Sequence, residues 1–317
     1  MPSPVCIVGQ YKCGTSWLLA ALSAHPEVVG AREVDLVRAF IDVETGADLP
    51  PSERVERLFG SSAWSPQPVA EALAATTAEG SADHGVPLRF TEYPTDAASQ
   101  LAARVSEGDA HSAAASFVDA LAGSDSTLRP VLKAADQIAV FEHLPRLYPD
   151  ASAVVITRDG RDAALAAVAY RSLMADQSAP WYKGPTEFDK QLSAWRSRAR
   201  MVIAAARNGE IHLIRYEDLT HEFSATFGRL LEHLDLDHDD ELVARIEALV
   251  AFENVTGRSR GTEAAAVVRR GLAQGWVDDL DSGTAEAAWG LAGEELAALG
   301  YTADGGCEAL AADVAGR

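Results

Sequence analysis

The sequence predicts an α/β protein in which helices flank a central parallel sheet. Two apolar runs, at residues 5–8 and 151–157, have the length and composition of parallel strands that are buried on both faces. Helical patterns separate these runs from further short strand candidates, and strands that alternate with helices indicate βαβ units. The 317 residues are 48% hydrophobic, enough for one large domain of this class or for two small ones.

The elements are expected in a regular order along the chain. The first strand leads through a glycine-containing turn into a helix at about 16–24, which ends at His25 because Pro26 disfavours helix in the residue before it. Further strands are predicted at 130–133, 151–157 and 211–215, and a polar turn at 158–162. Further helices are predicted at 137–147, 163–174, 187–207, 221–234, 239–252 and 284–299.

The region from about 61 to 130 differs from the rest of the chain. It is rich in alanine, serine, glycine and threonine, and its clearest helical patches lie at 69–78 and 113–122. We interpret it as a helical insert or cap in a single domain that comprises residues 1–317. The preceding stretch, 27–60, has a mixed pattern that predicts no particular element.

The charge balance excludes several classes of partner. There are 27 Lys and Arg residues against 47 Asp and Glu residues, a formal net charge of −20, so the surface repels nucleic acid and anionic membranes. The three cysteines have no paired spacing, which predicts neither a disulfide framework nor a zinc site. No run approaches the roughly 20 apolar residues of a membrane span, and a cytoplasmic protein is expected.

The turn after the first strand has the features of an anion-binding loop. Gly14 allows close backbone approach, Lys12 adds a positive charge, and the helix that starts near Thr15 and Ser16 offers free N–H groups. In the usual nucleoside-triphosphate loop a lysine directly follows the second glycine, whereas here Thr15 occupies that position. The alternative is an ordinary strand–turn–helix with an exposed lysine.

Three polar or aromatic residues follow three predicted strands. Lys12, Arg158 and Tyr216 each lie just past a strand end. Ligands of parallel α/β sheets bind at the carboxyl ends of the strands, so these residues are expected around one crevice.

Four segments, in order, resemble those of the sulfotransferases that use 3′-phosphoadenosine 5′-phosphosulfate (PAPS). Residues 10–17 are similar to the family's P-K-[SG]-G-T-[ST]-[WL] loop, and residues 154–162 to its strand and R-[ND]-P-x-[DE] loop. Residues 214–219 are similar to Y-E-D-L, and residues 269–276 to R-K-G-x-x-G-D-W. The resemblance implies a P-loop-like three-layer sandwich that moves a sulfuryl group from PAPS to a hydroxyl or amine and releases adenosine 3′,5′-bisphosphate, without a metal.

The resemblance also implies which residues bind the nucleotide. Trp17, Tyr216 and Phe252 would flank the adenine, although each could instead be a core residue. The full set implied is Lys12, Cys13, Gly14, Thr15, Ser16, Trp17, Arg158, Tyr216, Phe252, Arg269, Arg270 and Gly271.

Arginines are expected to hold the second anionic end of the nucleotide. A guanidinium matches phosphate geometry, so Arg158 and Arg161 are candidates, with the alternative that either pairs with Asp159 or Asp162 to form a structural turn. Four further arginines crowd into thirteen residues that contain one acid, which in so acidic a chain indicates either an anionic ligand or a solvated charged loop. These are Arg258, Arg260, Arg269 and Arg270.

The catalytic base is less well defined by the motifs. Many members use a histidine in a K-T-H segment, but here Lys133 leads to Asp136 with no histidine between them. A branch resembling heparan sulfate sulfotransferases uses glutamate in a K-E segment, which points to Glu33 as general base, with Asp136 second and Lys133 on the sulfuryl oxygens. Glu33 could instead form an ion pair with Arg32 or Arg38.

Two departures from the family pattern keep other functions open. Gly160 stands where the phosphate loop usually has proline, and Ala166 stands where a serine usually binds the 3′-phosphate, a role that Tyr170 or Arg171 could take over. The alternatives are a sulfotransferase-like protein that only binds nucleotide and a small-molecule kinase. The acceptor, a small molecule or a glycan, is expected to contact loops at 61–130 and 175–190, and a homodimer is left open.

Overall fold

The structure is a five-stranded sheet with helices around it. The computed structural model describes residues 3–32, 37–59, 103–122, 126–133, 137–176, 187–262, 270–310 and 314. The strands lie in the order β2-β3-β1-β4-β5. They are β1 (Val5–Ile7), β2 (Val28–Arg32), β3 (Arg129–Lys133), β4 (Ser152–Thr157) and β5 (His212–Arg215).

The strand pairs with a defined register are parallel, as the alternation of strands and helices predicts. Val5 pairs with Val131 between β1 and β3, and Val154 pairs with His212 between β4 and β5. β2 also pairs with β3 in parallel, with Gly30 opposite Val131. The predicted α/β fold with a central parallel sheet is therefore confirmed.

The helices are mostly short. They are α1 (Thr15–Ser23), α2 (Pro51–Phe59), α3 (Ala110–Ala122), α4 (Leu144–Leu147), α5 (Gly160–Asp176), α6 (Phe188–Arg207), α7 (Tyr216–His221), α8 (Phe223–His233), α9 (Asp240–Leu249), α10 (Phe252–Thr256), α11 (Trp276–Asp279) and α12 (Ser282–Ala298). None of the helices in the described residues is long and apolar enough to cross a membrane.

The chain forms two compact units. The first comprises residues 1–8 and 16–153. Its β2 lies close to α1, because a side chain at Gly30 would overlap the Ser23 hydroxyl. Arg129 joins two chain segments of this unit by donating to the Ser3 carbonyl at 2.9 Å and to the Ser152 hydroxyl at 3.0 Å.

The second unit comprises residues 9–15 and 154–317, and it holds the glycine turn together with β4 and β5. Its α5 and α6 pack closely at Gly160, where a Cβ atom would lie 2.5 Å from Cε3 of the buried Trp195. The glycine found in place of the usual proline is therefore matched to Trp195. On the other side of α6, Arg196 donates to Glu295 of α12 at 3.1 Å.

Several predicted elements differ from those observed, each for a local reason. The predicted helix at 137–147 is a 3-10 helix, Gln137–His143, followed by the short α4, because Val140 has a non-helical φ of −131°. The predicted helix at 221–234 is interrupted where Glu222 has φ −136° and ψ 55°. The predicted turn at 158–162 is shorter than expected and comprises residues 158–159, since α5 already begins at Gly160.

The mixed region 27–60 contains β2 and α2, which its pattern did not predict. Within the predicted insert at 61–130, α3 confirms the helical patch at 113–122, while the patch at 69–78 lies outside the described residues. The single-domain organisation with an insert remains a prediction.

Candidate active site

The glycine turn lies directly against β4 and the start of α7. Gly14 has a φ of 99°, a left-handed conformation that side chains rarely adopt. A Cβ atom there would lie 2.7 Å from Cδ2 of Tyr216, and one at Gly9 would lie 2.9 Å from the Ile156 carbonyl oxygen. Both glycines are thus required by close approach, and the turn ends at Thr15, where α1 begins.

Hydrogen bonds of the Gln10 side chain hold the glycine turn in place. Its buried side chain donates through Nε2 to the Trp195 carbonyl at 3.4 Å. Its Oε1 accepts a hydrogen bond from the Thr157 hydroxyl at 3.2 Å and one from the Cys13 thiol at 3.5 Å. The motifs assign no role to Gln10, because two of its three partners, Thr157 and Trp195, are distant in the chain.

Lys12 occupies a strained backbone position and lies on an aromatic surface. Its φ is 62°, which is unusual for a residue other than glycine. Its Nζ lies 3.5 Å from the centroid of the Tyr170 ring and 5.4 Å from that of Tyr11, both within the range of a cation–π interaction. The two rings meet edge to face, with centroids 6.0 Å apart.

Arg158 lies past the end of β4 with its guanidinium only partly satisfied. Nη2 donates to the Leu272 carbonyl at 2.7 Å and lies 3.8 Å from Oδ2 of Asp162. Nε is buried and has no hydrogen-bond partner among the described residues, while the side chain as a whole remains 14% exposed. Burial acts to lower the pKa of Arg158, but the nearby acids outweigh it, and the net pKa is raised.

Tyr216 joins the turn to two other predicted segments. Its ring contacts Gly14, and the Arg158 guanidinium carbon lies 4.7 Å from its centroid. Its hydroxyl donates to the Gly271 carbonyl at 3.1 Å. The Tyr216 ring, at the start of α7, therefore contacts three other segments. These are the glycine turn, the loop after β4 and the segment near Gly271.

The segment 270–276 is anchored onto this group. Its Gly271 has a φ of 66° and adjoins the Phe252 ring so closely that any side chain would overlap it. The Gly271 carbonyl also accepts from Arg260 Nη1 at 2.8 Å, and the Trp276 N–H donates to Asp162 at 2.9 Å. Burial raises the pKa of Asp162 to about 6, against the lowering effect of Arg158.

A comparison with known protein families agrees with this geometry. Residues 4–240, well over half of the chain, match the model of the sulfotransferase family.

The chain belongs to the sulfotransferase family.

Solved sulfotransferase structures resemble this sulfotransferase in fold. The sulfotransferase domain of the Synechococcus PCC 7002 olefin synthase is 15% identical, with 92% of this chain and 94% of that chain covered and a TM-score of 0.55. The sulfotransferase domain from the curacin biosynthetic pathway is 14% identical, with 85% and 83% covered and a TM-score of 0.51. None of the curated proteins compared matches the chain.

Arg161 of this sulfotransferase is more completely paired than Arg158, which lies 3.8 Å from Asp162 and keeps one buried nitrogen without a hydrogen-bond partner among the described residues. Its side chain is fully buried, and Nε and Nη2 donate to the two oxygens of Asp159 at 3.0 and 2.6 Å. Nη1 and Nη2 also donate to the carbonyls of Ala303 and Thr302, and the guanidinium stacks 3.6 Å from the Trp276 ring. The alternative of a structural pair with Asp159 therefore holds for Arg161.

Asp159 caps the start of α5 and is supported by a buried carboxylate. It accepts from the Arg161 N–H at 2.9 Å, as an N-cap does, while its own N–H donates to Glu217 at 3.1 Å. The second oxygen of Glu217 accepts from the Tyr301 hydroxyl at 2.9 Å. Burial, with Asp159 nearby, raises the pKa of Glu217 to about 7. Sequence interpretation missed Glu217 and Tyr301, because no local pattern signals buried pairing.

Of the four arginines between positions 258 and 270, those in the described residues contact other groups of the protein. Arg270 forms an ion pair with Asp279 and donates to the Gly275 carbonyl at 3.1 Å. Arg258 and Arg260 lie 5.6 and 5.4 Å from the Phe252 ring. Arg269 lies outside the described residues.

The other predicted site residues have defined or undescribed positions. Ser16 and Trp17 lie in the first turn of α1 and are half-buried, and Lys133 is the buried last residue of β3. Ala166 is half-buried in α5, one helical turn before Tyr170. The two candidate bases, Glu33 and Asp136, lie outside the described residues.

Proposed function

We propose that this sulfotransferase transfers the sulfuryl group of PAPS to a hydroxyl or amine of a small-molecule or glycan acceptor. The observation that carries the proposal is the position of the Tyr216 ring, with Gly14 against it and the Arg158 guanidinium 4.7 Å from its centroid. A nucleotide with anionic groups at two separate positions suits an aromatic ring that adjoins both an arginine and an anion-binding turn.

The residues of the second unit fit such a nucleotide. Gly14 and Gly271 let the Tyr216 and Phe252 rings pack directly against the backbone, since a Cβ atom would lie 2.7 Å from the first ring and would overlap the second, and this brings two aromatic rings to the turn and to the segment near Gly271. Arg158 retains an unsatisfied guanidinium nitrogen, whereas Arg161 is fully paired. We therefore assign the 3′-phosphate to Arg158, and the phosphosulfate to the turn at 9–15.

The chemistry asks the protein for charge stabilisation and for one proton transfer. In sulfuryl transfer the acceptor oxygen or nitrogen bonds to sulfur while the bond from sulfur to the bridging oxygen breaks, and charge grows on the leaving phosphate. Lys12 is proposed to stabilise that charge, as cationic groups do in phosphoryl transfer. Glu33 is proposed to take the acceptor proton, with Asp136 as the second candidate and Lys133 on the sulfuryl oxygens.

The role of Lys12 can be tested by replacing it and comparing the effect with that of a control variant at an exposed basic residue. The enzyme is incubated with ³⁵S-labelled PAPS and a panel of phenols, alcohols, amines and sugars, and transfer to water is followed as release of labelled sulfate. Lys12→Met is expected to lower turnover by at least about tenfold, because removing one charge-stabilising group costs that much or more. The control is Arg245→Met, since Arg245 is an exposed basic residue of α9, outside the loops that are expected to contact the acceptor.

The other outcomes are equally informative. Retained turnover in Lys12→Met would overturn the assignment of Lys12. Tight calorimetric binding of adenosine 3′,5′-bisphosphate, without transfer of label to any acceptor or to water, would identify a nucleotide-binding protein instead. Magnesium-dependent consumption of ATP in the presence of the same acceptors would identify a kinase.

The base is tested separately. If Glu33 takes the acceptor proton, Glu33→Gln lowers turnover by roughly a hundredfold, a typical contribution of a general base, while bisphosphate affinity stays unchanged. The matched variant, Asp136→Asn, is then expected to have the smaller effect. The reverse order of effects would assign the base to Asp136.

A further inference from the structure

We infer that Tyr170 is a positioning residue for Lys12, an inference that rests on the proposed function of that lysine. The Nζ atom of Lys12 lies 3.5 Å from the centroid of the Tyr170 ring, much closer than its 5.4 Å distance from the Tyr11 ring. Cation–π interactions act within about 6 Å of a ring centroid, so Tyr170 supplies the principal aromatic contact of this ammonium group.

The side chain of Lys12 needs a neighbour that fixes its conformation. The turn places Lys12 in the left-handed region, with a φ of 62°, between β1 and the glycine at position 14. A long lysine side chain retains many rotamers unless a neighbour selects one. The Tyr170 ring selects the rotamer that brings Nζ over its face.

An aromatic ring is suited to holding a catalytic ammonium. A carboxylate at the same place would neutralise the lysine, whereas the ring face attracts the cation through its quadrupole and leaves the net charge intact. The contact with Tyr170 therefore does not offset the charge that Lys12 would direct at the leaving phosphate.

The Tyr170 ring is itself well supported. It meets Tyr11 edge to face at 6.0 Å, and the Arg171 guanidinium lies 5.8 Å from the Tyr11 ring. Tyr170 belongs to α5, the helix whose capped first turn adjoins Arg158. Ten residues of helix span about 15 Å, so α5 fixes the spacing between the arginine end and the lysine end of the site.

The contact can be tested independently of catalysis. The chain has only four lysines, Lys12, Lys133, Lys183 and Lys190, so ¹³C-lysine labelling yields four sets of ε-methylene NMR signals. The set that disappears in Lys12→Arg belongs to Lys12. We expect its proton signals to lie upfield of the others because of the ring current, to stay there in Tyr170→Phe, and to return to ordinary values in Tyr170→Leu.

The catalytic consequence is tested by a double-mutant cycle, measured in the steady state with ³⁵S-labelled PAPS and water or the best acceptor. Tyr170→Leu is expected to lower kcat roughly tenfold, with the KM for PAPS and the affinity for adenosine 3′,5′-bisphosphate changed by less than about threefold. Tyr170→Phe, which keeps the ring, is expected to stay within about threefold of wild type. In the Lys12→Met background, Tyr170→Leu is expected to add less than about twofold, since the two residues act together.

The possible results distinguish a failure of this inference from a failure of the proposed function. Loss of turnover in Lys12→Met with full turnover in Tyr170→Leu overturns the role of Tyr170 and leaves the function standing. An equal loss for Tyr170→Leu with and without Lys12 also overturns it, because Tyr170 then acts elsewhere. Absence of sulfuryl transfer by the wild type overturns the proposed function and, with it, the role of Tyr170. An ordinary Lys12 signal in the wild type overturns the contact itself.

Discussion

Arg158 and Arg161, near the start of α5, are expected to affect different properties of the protein when each is replaced by alanine. Arg158 and Arg161 are three positions apart and carry the same charge, yet Arg161 is fully buried while Arg158 is 14% exposed. We expect Arg161→Ala to reduce stability and Arg158→Ala to reduce nucleotide affinity.

The cost of Arg161→Ala follows from its partners. The change removes the 3.0 and 2.6 Å hydrogen bonds to Asp159 and the bonds to the Thr302 and Ala303 carbonyls. Asp159, itself 1% exposed, would stay buried without its cation. Breaking a buried ion pair from one side costs about 3–5 kcal/mol, a large share of the roughly 5–15 kcal/mol that holds a domain folded.

The cost of Arg158→Ala is expected to be smaller for stability and larger for binding. Its acidic neighbour Asp162 has a pKa that burial raises to about 6, so this carboxyl can take up a proton when the cation is lost. We expect a loss of only about 1.5–3 kcal/mol of stability, the scale of one hydrogen bond to a charged group. The same change should weaken the bisphosphate by roughly 10- to 100-fold, since a charge-assisted bond to phosphate contributes about 1.5–3 kcal/mol.

Urea unfolding and calorimetry with adenosine 3′,5′-bisphosphate measure the two effects on the same samples. The control is Arg245→Ala, which removes one positive charge from an exposed position of α9 and should alter neither property. The reasoning is refuted if Arg158→Ala binds the bisphosphate as the wild type does, or if Arg161→Ala is as stable as the control.

Two further predictions concern the buried residues around the start of α5. Gly160→Ala should lower the free energy of unfolding by about 1–3 kcal/mol, because the new Cβ would lie 2.5 Å from Trp195, and this penalty should largely vanish in a Trp195→Leu background. An equal penalty in both backgrounds in urea unfolding would exclude the overlap as its cause. Burial raises the pKa of Glu217 from 4.5 to about 7, so the folded state binds this proton more tightly, and the contribution to stability, present below pH 4.5, is lost as the pH rises through about 7. The loss amounts to at most about 3 kcal/mol, and Glu217→Gln should flatten the pH dependence of the urea midpoint in that window; an unchanged profile would show that Glu217 does not titrate there.

Much of the fold and part of the site could be predicted from local patterns. Continuous apolar runs identify β1 and β4, because strands buried on both faces lack alternation. The glycine turn could be recognised because a strand, two glycines and a helix start are adjacent in the chain. Arg158 and Tyr216 could be placed beside this turn, because carboxyl ends of parallel strands share one edge of a sheet.

Other features depended on contacts between residues that are distant in the chain. Arg161 could be assigned to Asp159 only when the buried carbonyls of Thr302 and Ala303 were found beside it. Likewise, the glycine at position 160 is explained by Trp195, which belongs to another helix.

The amino-acid sequence was sufficient for the fold class and the family, because both rest on short segments whose conformation is set by neighbours along the chain. Tertiary structure was needed to distinguish the arginine that we propose to bind the nucleotide from the structural one, and to find the aromatic ring that contacts Lys12. Two arginines with equal charge and similar sequence context differ only in burial and in the partners that packing supplies, and packing is a property of the folded chain.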